Sequence, residues 1–322
     1  MSDNTRRKLR LITNSVVNCF RSCPKKHFYR NVQLRRPETD SEALNIGTYV
    51  HRELEAFWTG QAIVLGSILP LEDPYAHYKC VAMVEGYRER YPRDQWDFEV
   101  LDVEKQFQVP LINPETGHKS QTWVLGGKID AVIRKDGKLY IVEHKTSASD
   151  IEQGSEYWQK LRLDAQIATY MAAAEIIYGE KCHGCLYDVL GKPRSKPMLA
   201  TPIESRKYTK AGALYKQQRD VDETPEQYLN RIRLHIAENP EKYYQRAIIH
   251  RTEEDAMDSA FDLWNTAKMI RECEKHNRWS RNPSACYQWY SACEYFKACT
   301  GDVDINNDLY FRTATAEHEE LA

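Results

Sequence analysis

With 322 residues, 42% of them hydrophobic and 29% charged, the chain can bury a full core as one large domain or as a domain with an elaborate flank. A net charge of -2 and a pI near 6.6 exclude a general basic coat for nucleic acid, though they leave room for a local basic groove. No run of about 18 apolar residues occurs, and MSDNTRRKLR lacks the apolar centre of a signal peptide, so a soluble cytoplasmic protein with no membrane association is expected. In that reducing setting the nine cysteines are expected as free thiols or metal ligands rather than disulfides.

In chain order, SVVNCFRSCPKKHFYR predicts a short helix, and residues 41–58 a longer one with Val50, Leu54, Phe57 and Trp58 on its apolar face. A helix over 74–90 and a strand over 97–110 follow, and the NPETG turn leads into GGKIDAVIRKDGKLYIVEHKT. Residues 155–178 read as a helix, CLYDVLGKP as a strand, and 201–275 as charged and mostly helical. The polar segment after Asp302 is expected to be partly disordered. No internal repeat is seen. The order of elements predicts an α/β core with a central mixed sheet flanked by helices. Four regions are expected: a helical segment to residue 40, a core over 41–200, a helical region over 201–302 and a polar tail.

The stretch from 126 to 146 predicts a hairpin turning at Asp136-Gly137, a dipeptide that favours a type I′ turn. With Lys135 opposite Lys138, Asp130 falls opposite Glu143, and Lys145 lies on the same face as Glu143. Two carboxylates that face each other raise a pKa or demand a cation. Two carboxylates and a lysine suit Mg²⁺ or Mn²⁺, which can hold a phosphate and activate water. The alternative is a surface hairpin with solvated charges.

Further residues join this group. Gly47 and His51 are four apart on the 41–58 helix, and Gln166 and Tyr170 share one face of the helix after the hairpin. The series Gly47…His51, Gly127-Lys128-Ile129-Asp130, Glu143-His144-Lys145 and Gln166…Tyr170 resembles the motifs GxxxH, GxxD, ExK and QxxxY of the RecB-like branch of the PD-(D/E)XK nucleases. The resemblance covers about residues 15–190. It implies a restriction-endonuclease-like core in which Asp130, Glu143, the carbonyl of His144 and His51 bind the metal. It further implies that Lys145 assists the attacking water, and that Gln166 and Tyr170 line the site. The His144 side chain is expected on the opposite face.

Cys23 lies near the N-terminus, and Cys286, Cys293 and Cys299 lie near the C-terminus. This one-plus-three layout is similar to that of AddB-type and CRISPR-associated RecB-like nucleases, and the resemblance implies a [4Fe–4S] cluster that joins the ends of the chain. Six residues separate Cys286 from Cys293 where two are common, which leaves zinc, or thiols with no metal, as the alternatives. Cys182-His183-Gly184-Cys185 is a competing pair at a helix–strand junction; Cys19, Cys80 and Cys273 read as structural.

Lys192, Arg194, Lys196, Arg206, Lys207, Lys210, Lys216 and Arg219, interleaved with Tyr208 and Tyr215, could follow phosphates and stack on bases, or form a solvated helix surface. GKPRSKP is the preferred phosphate-facing loop. The expected partner is DNA, single-stranded or with free ends, with a recombination or helicase protein as a further partner and the oligomeric state open. The resemblance points to an exonuclease of recombination, repair or phage DNA metabolism in a bacterial cell. The alternatives are a structure-specific or restriction-type endonuclease and a non-cleaving DNA-end clamp. No Walker motif is present, so no motor is expected.

Overall fold

The computed structural model describes residues 9–39, 42–61, 71–288 and 291–321; the basic stretch MSDNTRRK and Ser41, the expected first residue of a helix, lie outside them. The strands are β1 (Arg10–Ile12), β2 (Arg35–Pro37), β3 (Glu99–Ile112), β4 (Lys119–Lys135), β5 (Lys138–Ser147), β6 (Cys182–Gly191), β7 (Tyr244–Ile249), β8 (Tyr287–Gln288), β9 (Ser291–Ala292) and β10 (Phe311–Thr313). The helices are α1 (Asn14–Ser22), α2 (Pro24–His27), α3 (Glu42–Thr59), α4 (Pro74–Arg90), α5 (Glu156–Leu161), α6 (Ala165–Tyr178), α7 (Pro225–Glu238), α8 (Pro240–Tyr243), α9 (Glu253–His276) and α10 (Phe296–Thr300).

The β4–β5 turn follows from its residues. Asp136 and Gly137 have φ of 50° and 73°, the two positive angles of a type I′ turn, and Lys135 pairs with Lys138. β3 covers one edge of β4 along almost its whole length. The other edge is shared: β1 runs parallel against Trp123–Leu125, and β5 antiparallel against residues 131–135. β6 then pairs parallel with β5, and β7 antiparallel with β6, giving the expected mixed sheet.

Apolar residues on each face set the layers. Val16 and Phe20 of α1, Ile167 and Ala173 of α6, and Leu263 and Ile270 of α9 cover one face. Val50, Leu54 and Trp58 of α3, with α4 and Tyr228 and Ile232 of α7, cover the other. Each Val, Leu, Ile or Phe among them, fully buried, contributes about 1.5–3 kcal/mol relative to exposure. A third, small cluster of Tyr29, Tyr295 and Phe311 joins the two ends of the chain.

Local chemistry explains where the elements depart from expectation. The first helix breaks at Cys23, whose φ of -162° is extended, and Pro24 opens α2. The helix expected over 155–178 is two, because the Asp164 side chain accepts from Gln166 N and starts α6 afresh. Residues 201–224 are largely non-helical; α7 begins only at the Thr224 capping box, and β7 interrupts the helical run as a sheet edge. The segment after Asp302 is not loose: β10 pairs antiparallel with β2.

One glycine is fixed by packing. A Cβ on Gly127 would lie 2.8 Å from the Phe107 ring and 3.0 Å from Tyr170, both buried. Gly127→Ala is therefore expected to lower stability by about 1–3 kcal/mol in a denaturant melt, through displacement of these rings.

Candidate active site

The site forms where β4 and β5 part. Their ladder ends at Ala131 and Val142, so Asp130 and Glu143, the next pair in that register, form no further rung. Instead the Asp130 Oδ2 accepts the backbone N–H of His144 at 2.6 Å. On that edge, residues 126–130 of β4 lie between the partners of β1, which end at Leu125, and those of β5, which reach Ala131 opposite Val142, leaving an opening in the sheet.

The alternation of side chains also switches face here. Ile129 packs with the α6/α9 core and Ala131 with the α3/α4 core, although both numbers are odd. In β3 the same switch falls between Val103 and Phe107, around Glu104, whose φ of 51° is a left-handed angle inside a strand. Glu104 and Asp130 stand opposite each other, between the pairs Val103–Ala131 and Lys105–Ile129. The kink turns both carboxylates toward the opening.

α3 supplies the third donor. His51 Nδ1 is 3.8 Å from Asp130 Oδ1, and one ligand atom each of His51, Glu104 and Asp130 lies within 4.8 Å of the others. This set of one imidazole and two carboxylates suits a divalent ion of the Mg²⁺ or Mn²⁺ kind, with imidazole favouring the softer Mn²⁺. Glu104 pairs with Lys128 at 2.5 Å. Sequence reading missed it because Asp102, Glu104, Gln106 and Gln108 alternate like a solvent face; only the β3–β4 register reveals its position.

On the other side of the opening, the Lys145 ammonium donates to Glu143 Oε1 and, at 3.2 Å, to Gln166 Oε1. Gln166 Nε2 in turn donates to the same Glu143 oxygen at 2.7 Å. Gln166 owes its place to the Asp164 cap, which holds the first turn of α6 against β5. Tyr170, one turn on, is buried edge-on against Phe107.

Burial and neighbours pull the carboxyls apart. Burial opposes ionisation of Asp130, but His51, His144 and Lys145 outweigh it and hold the group well below the usual carboxylate range. Burial, aided by the charge of Asp130, pushes Glu143 up to about 7 even though Lys145 opposes this. Burial works against the Lys145 charge, but Glu143 and Asp130 prevail and raise its pKa. Burial lowers His51, favouring the neutral imidazole that a metal requires.

The His144 side chain does point to the opposite face, and it is buried there against Trp58 and Tyr87. Its Nδ1 is 3.5 Å from Asp130 Oδ2 and its Nε2 is 3.7 Å from Asp188 Oδ2. Asp188, wholly buried on β6, accepts from Tyr87 Oη at 2.6 Å and from Arg246 of β7 at 2.5 and 2.6 Å. This charged layer braces Asp130 from behind.

The four cysteines named from sequence line one small cavity with Lys25, Lys26 and Arg281 on its wall. Cys182 and Cys185 are buried at the start of β6, just after α6 ends, as expected, and burial pushes the Cys182 thiol up to about 11. In GKPRSKP, the Arg194 guanidinium holds the Ala148 carbonyl, and Lys192 is half-buried with its pKa lowered by burial. The loop thus braces the chain through Arg194, while Arg194 and Lys196 are both exposed.

A mixed sheet flanked by helices, with acids, a histidine and a lysine gathered at a strand fork, is a restriction-endonuclease-like α/β fold. The family model of the PD-(D/E)XK nuclease superfamily matches residues 12–300, and the chain belongs to that superfamily, whose members use divalent metal ions. Among solved structures it is similar to the "Putative exonuclease" from Eubacterium rectale, with 11% identity over 94% of this chain and 93% of that one and a TM-score of 0.43. It is also similar to SSO0001, with 14% identity, 72% and 76% coverage and a TM-score of 0.29. No curated protein sequence matches the chain. Among the described residues no helix is long and apolar enough to cross a membrane.

Two outcomes are expected. A metal ligand must lose its proton, and burial raises Glu143 to about 7, so with Glu143 among the ligands Mn²⁺ affinity in calorimetric titrations rises with pH below about 7 and levels off above it. Arg246→Ala strands the buried Asp188 carboxylate, and a guanidinium melt should show a loss of about 3–5 kcal/mol.

Proposed function

We propose that the chain is a metal-dependent deoxyribonuclease that hydrolyses phosphodiester bonds as an exonuclease at DNA ends. The observation that carries the nuclease reading is the gathering of Asp130, Glu143, Lys145 and Gln166 around one opening in the sheet, with no charged member missing. The ordered four-motif resemblance supports an exonuclease. His51, Asp130, Glu143 and the His144 carbonyl would hold the ion, with Glu104 as an added carboxylate. Such an ion supplies Lewis-acid stabilisation and an activated water.

The chain's own groups do the rest. Lys145 keeps its charge beside Glu143 and Asp130, so it serves as a cation that orients the attacking water and offsets charge on the phosphate, not as a proton acceptor. Gln166 fixes the angle of both Glu143 and Lys145 through two hydrogen bonds. Tyr170 lines the site, packed against Phe107.

Cys23, Cys286, Cys293 and Cys299 are proposed to hold a [4Fe–4S] cluster, supported by their shared cavity between the two ends of the chain. Anaerobically purified protein would then contain about four iron and four sulfide per chain. Zinc at one equivalent would instead assign the alternative.

With Mn²⁺ or Mg²⁺, wild type is expected to degrade end-labelled linear DNA and to spare closed circles. Asp130→Ala and Lys145→Ala should each lower the rate by at least about a hundredfold. Cutting of closed circles would make the chain an endonuclease, and no cleavage of any substrate by folded, metal-loaded protein would make it a clamp.

A further inference from the structure

The chain leaves β6 beside the site. Val189 and Gly191 are the register partners of Lys145 and Ser147, and Lys192 N donates to the Ser147 carbonyl at 2.7 Å. The buried Glu223 closes the base of this excursion: its carboxylate takes Met198 N at 2.9 Å and two donors of Arg231 at 2.7 Å each, and its own N–H returns to Met198 O.

Beyond that base, residues 201–219 fold back on themselves as a tongue. Thr201 N donates to Arg219 O at 2.8 Å, Tyr215 N to Lys207 O at 3.0 Å, and Thr209 N to Ala213 O at 2.7 Å. Tyr208 and Leu214 form an antiparallel bridge, and Gly212, at φ 76°, turns the tip.

Residues 205–219 (SRKYTKAGALYKQQR) hold five cations and no acid, in a chain of net charge -2. Arg206 and Arg219 are used internally, bracing the Thr201, Asp220 and Val221 carbonyls. Lys207, Lys210 and Lys216 are exposed, and among the described residues none has a carboxylate partner. Tyr208 is 55% exposed and Tyr215 49%. The fold makes little use of these five side chains: three free ammoniums beside two open rings match a polyanion with accessible planar faces.

We propose that the tongue over 201–219, on the excursion that leaves β6 at the candidate site, is a clamp for single-stranded DNA, with Lys207, Lys210 and Lys216 on phosphates and Tyr208 and Tyr215 under bases. The choice of DNA rests on the nuclease reading. Duplex offers the phosphates but hides the base faces, so the tyrosines select the single strand.

The test measures binding of a fluorescent single strand and a matching duplex, with EDTA present, over a range of salt. Each phosphate contact on a single strand contributes about 0.7 to the salt slope, so the triple variant Lys207→Ala/Lys210→Ala/Lys216→Ala should flatten the slope by about 2. Tyr208→Ala/Tyr215→Ala should weaken single-strand binding by roughly tenfold or more with the slope unchanged, and leave duplex binding nearly as it was. Unchanged affinity and slope in both variants, with unchanged thermal melting, would overturn the proposal. Equal losses on single strand and duplex from the tyrosine variant would overturn its single-strand part. Cleavage plays no part in this assay, so an inactive wild type would count against the nuclease reading while the result for the tongue stands.

Discussion

The hydrogen bond from the His144 N–H to the Asp130 carboxylate takes the place of the next rung in the β4–β5 ladder, and the candidate site depends on that exchange. A continued ladder would have closed the sheet over the position. By accepting a main-chain donor, Asp130 satisfies one buried N–H and lets β5 leave β4 for β6. Glu143, Lys145 and Gln166 then meet on one side of the opening, with His51 and Glu104 on the other. The left-handed Glu104 is the backbone strain that accompanies the switch.

Gathering this many buried charges is costly, and the arrangement of neighbours decides which ones persist. Asp130 keeps its charge because His51, His144 and Lys145 outweigh its burial; Glu143, whose burial and the neighbouring Asp130 charge outweigh Lys145, holds its proton more readily. The same rule applies one layer deeper, where Asp188 is tolerated because Arg246 and Tyr87 saturate it. Alternation and burial alone would place an apolar residue at Asp188. The structure instead holds an ion pair behind the imidazole of His144, stiffening the wall against which Asp130 rests.

Much of this was legible in the sequence, where residue type dictates local geometry. Asp136-Gly137 specifies its turn and therefore the register, and Pro74–Arg90 announces its helix by proline and cap. The hairpin register put Asp130, Glu143 and Lys145 on neighbouring strands, whereas His51 and Gln166 stood out only through the resemblance to a family's ordered motifs. Long-range pairing was not legible. Glu104 reads as a solvent-facing acid until β3 is laid against β4, and Asp188 sits in an apolar strand whose partner, Arg246, is 58 residues away. β1, β2 and β10 are three residues each, too short for any periodicity, and only the strands they join give them meaning. The break at Asp164 was visible as a cap residue but lay inside an otherwise helical composition.

The ends of the chain are joined as thoroughly as the sheet. Arg10 grips Glu274 with two bonds of 2.7 Å, Asn282 reaches Ser22 O at 2.8 Å, Tyr295 donates to Arg35 O at 2.7 Å, and β2 takes β10. These bonds tie the two ends of the chain together, backed by a small apolar cluster of Tyr29, Tyr295 and Phe311 with Phe28, Val303 and Ile305 against it. The small cluster between the ends is thus separate from the two larger ones that cover the sheet. A ligand of the kind proposed for these cysteines would therefore act on the joint between the two ends, and its loss is expected as fraying there before any change at the strand fork.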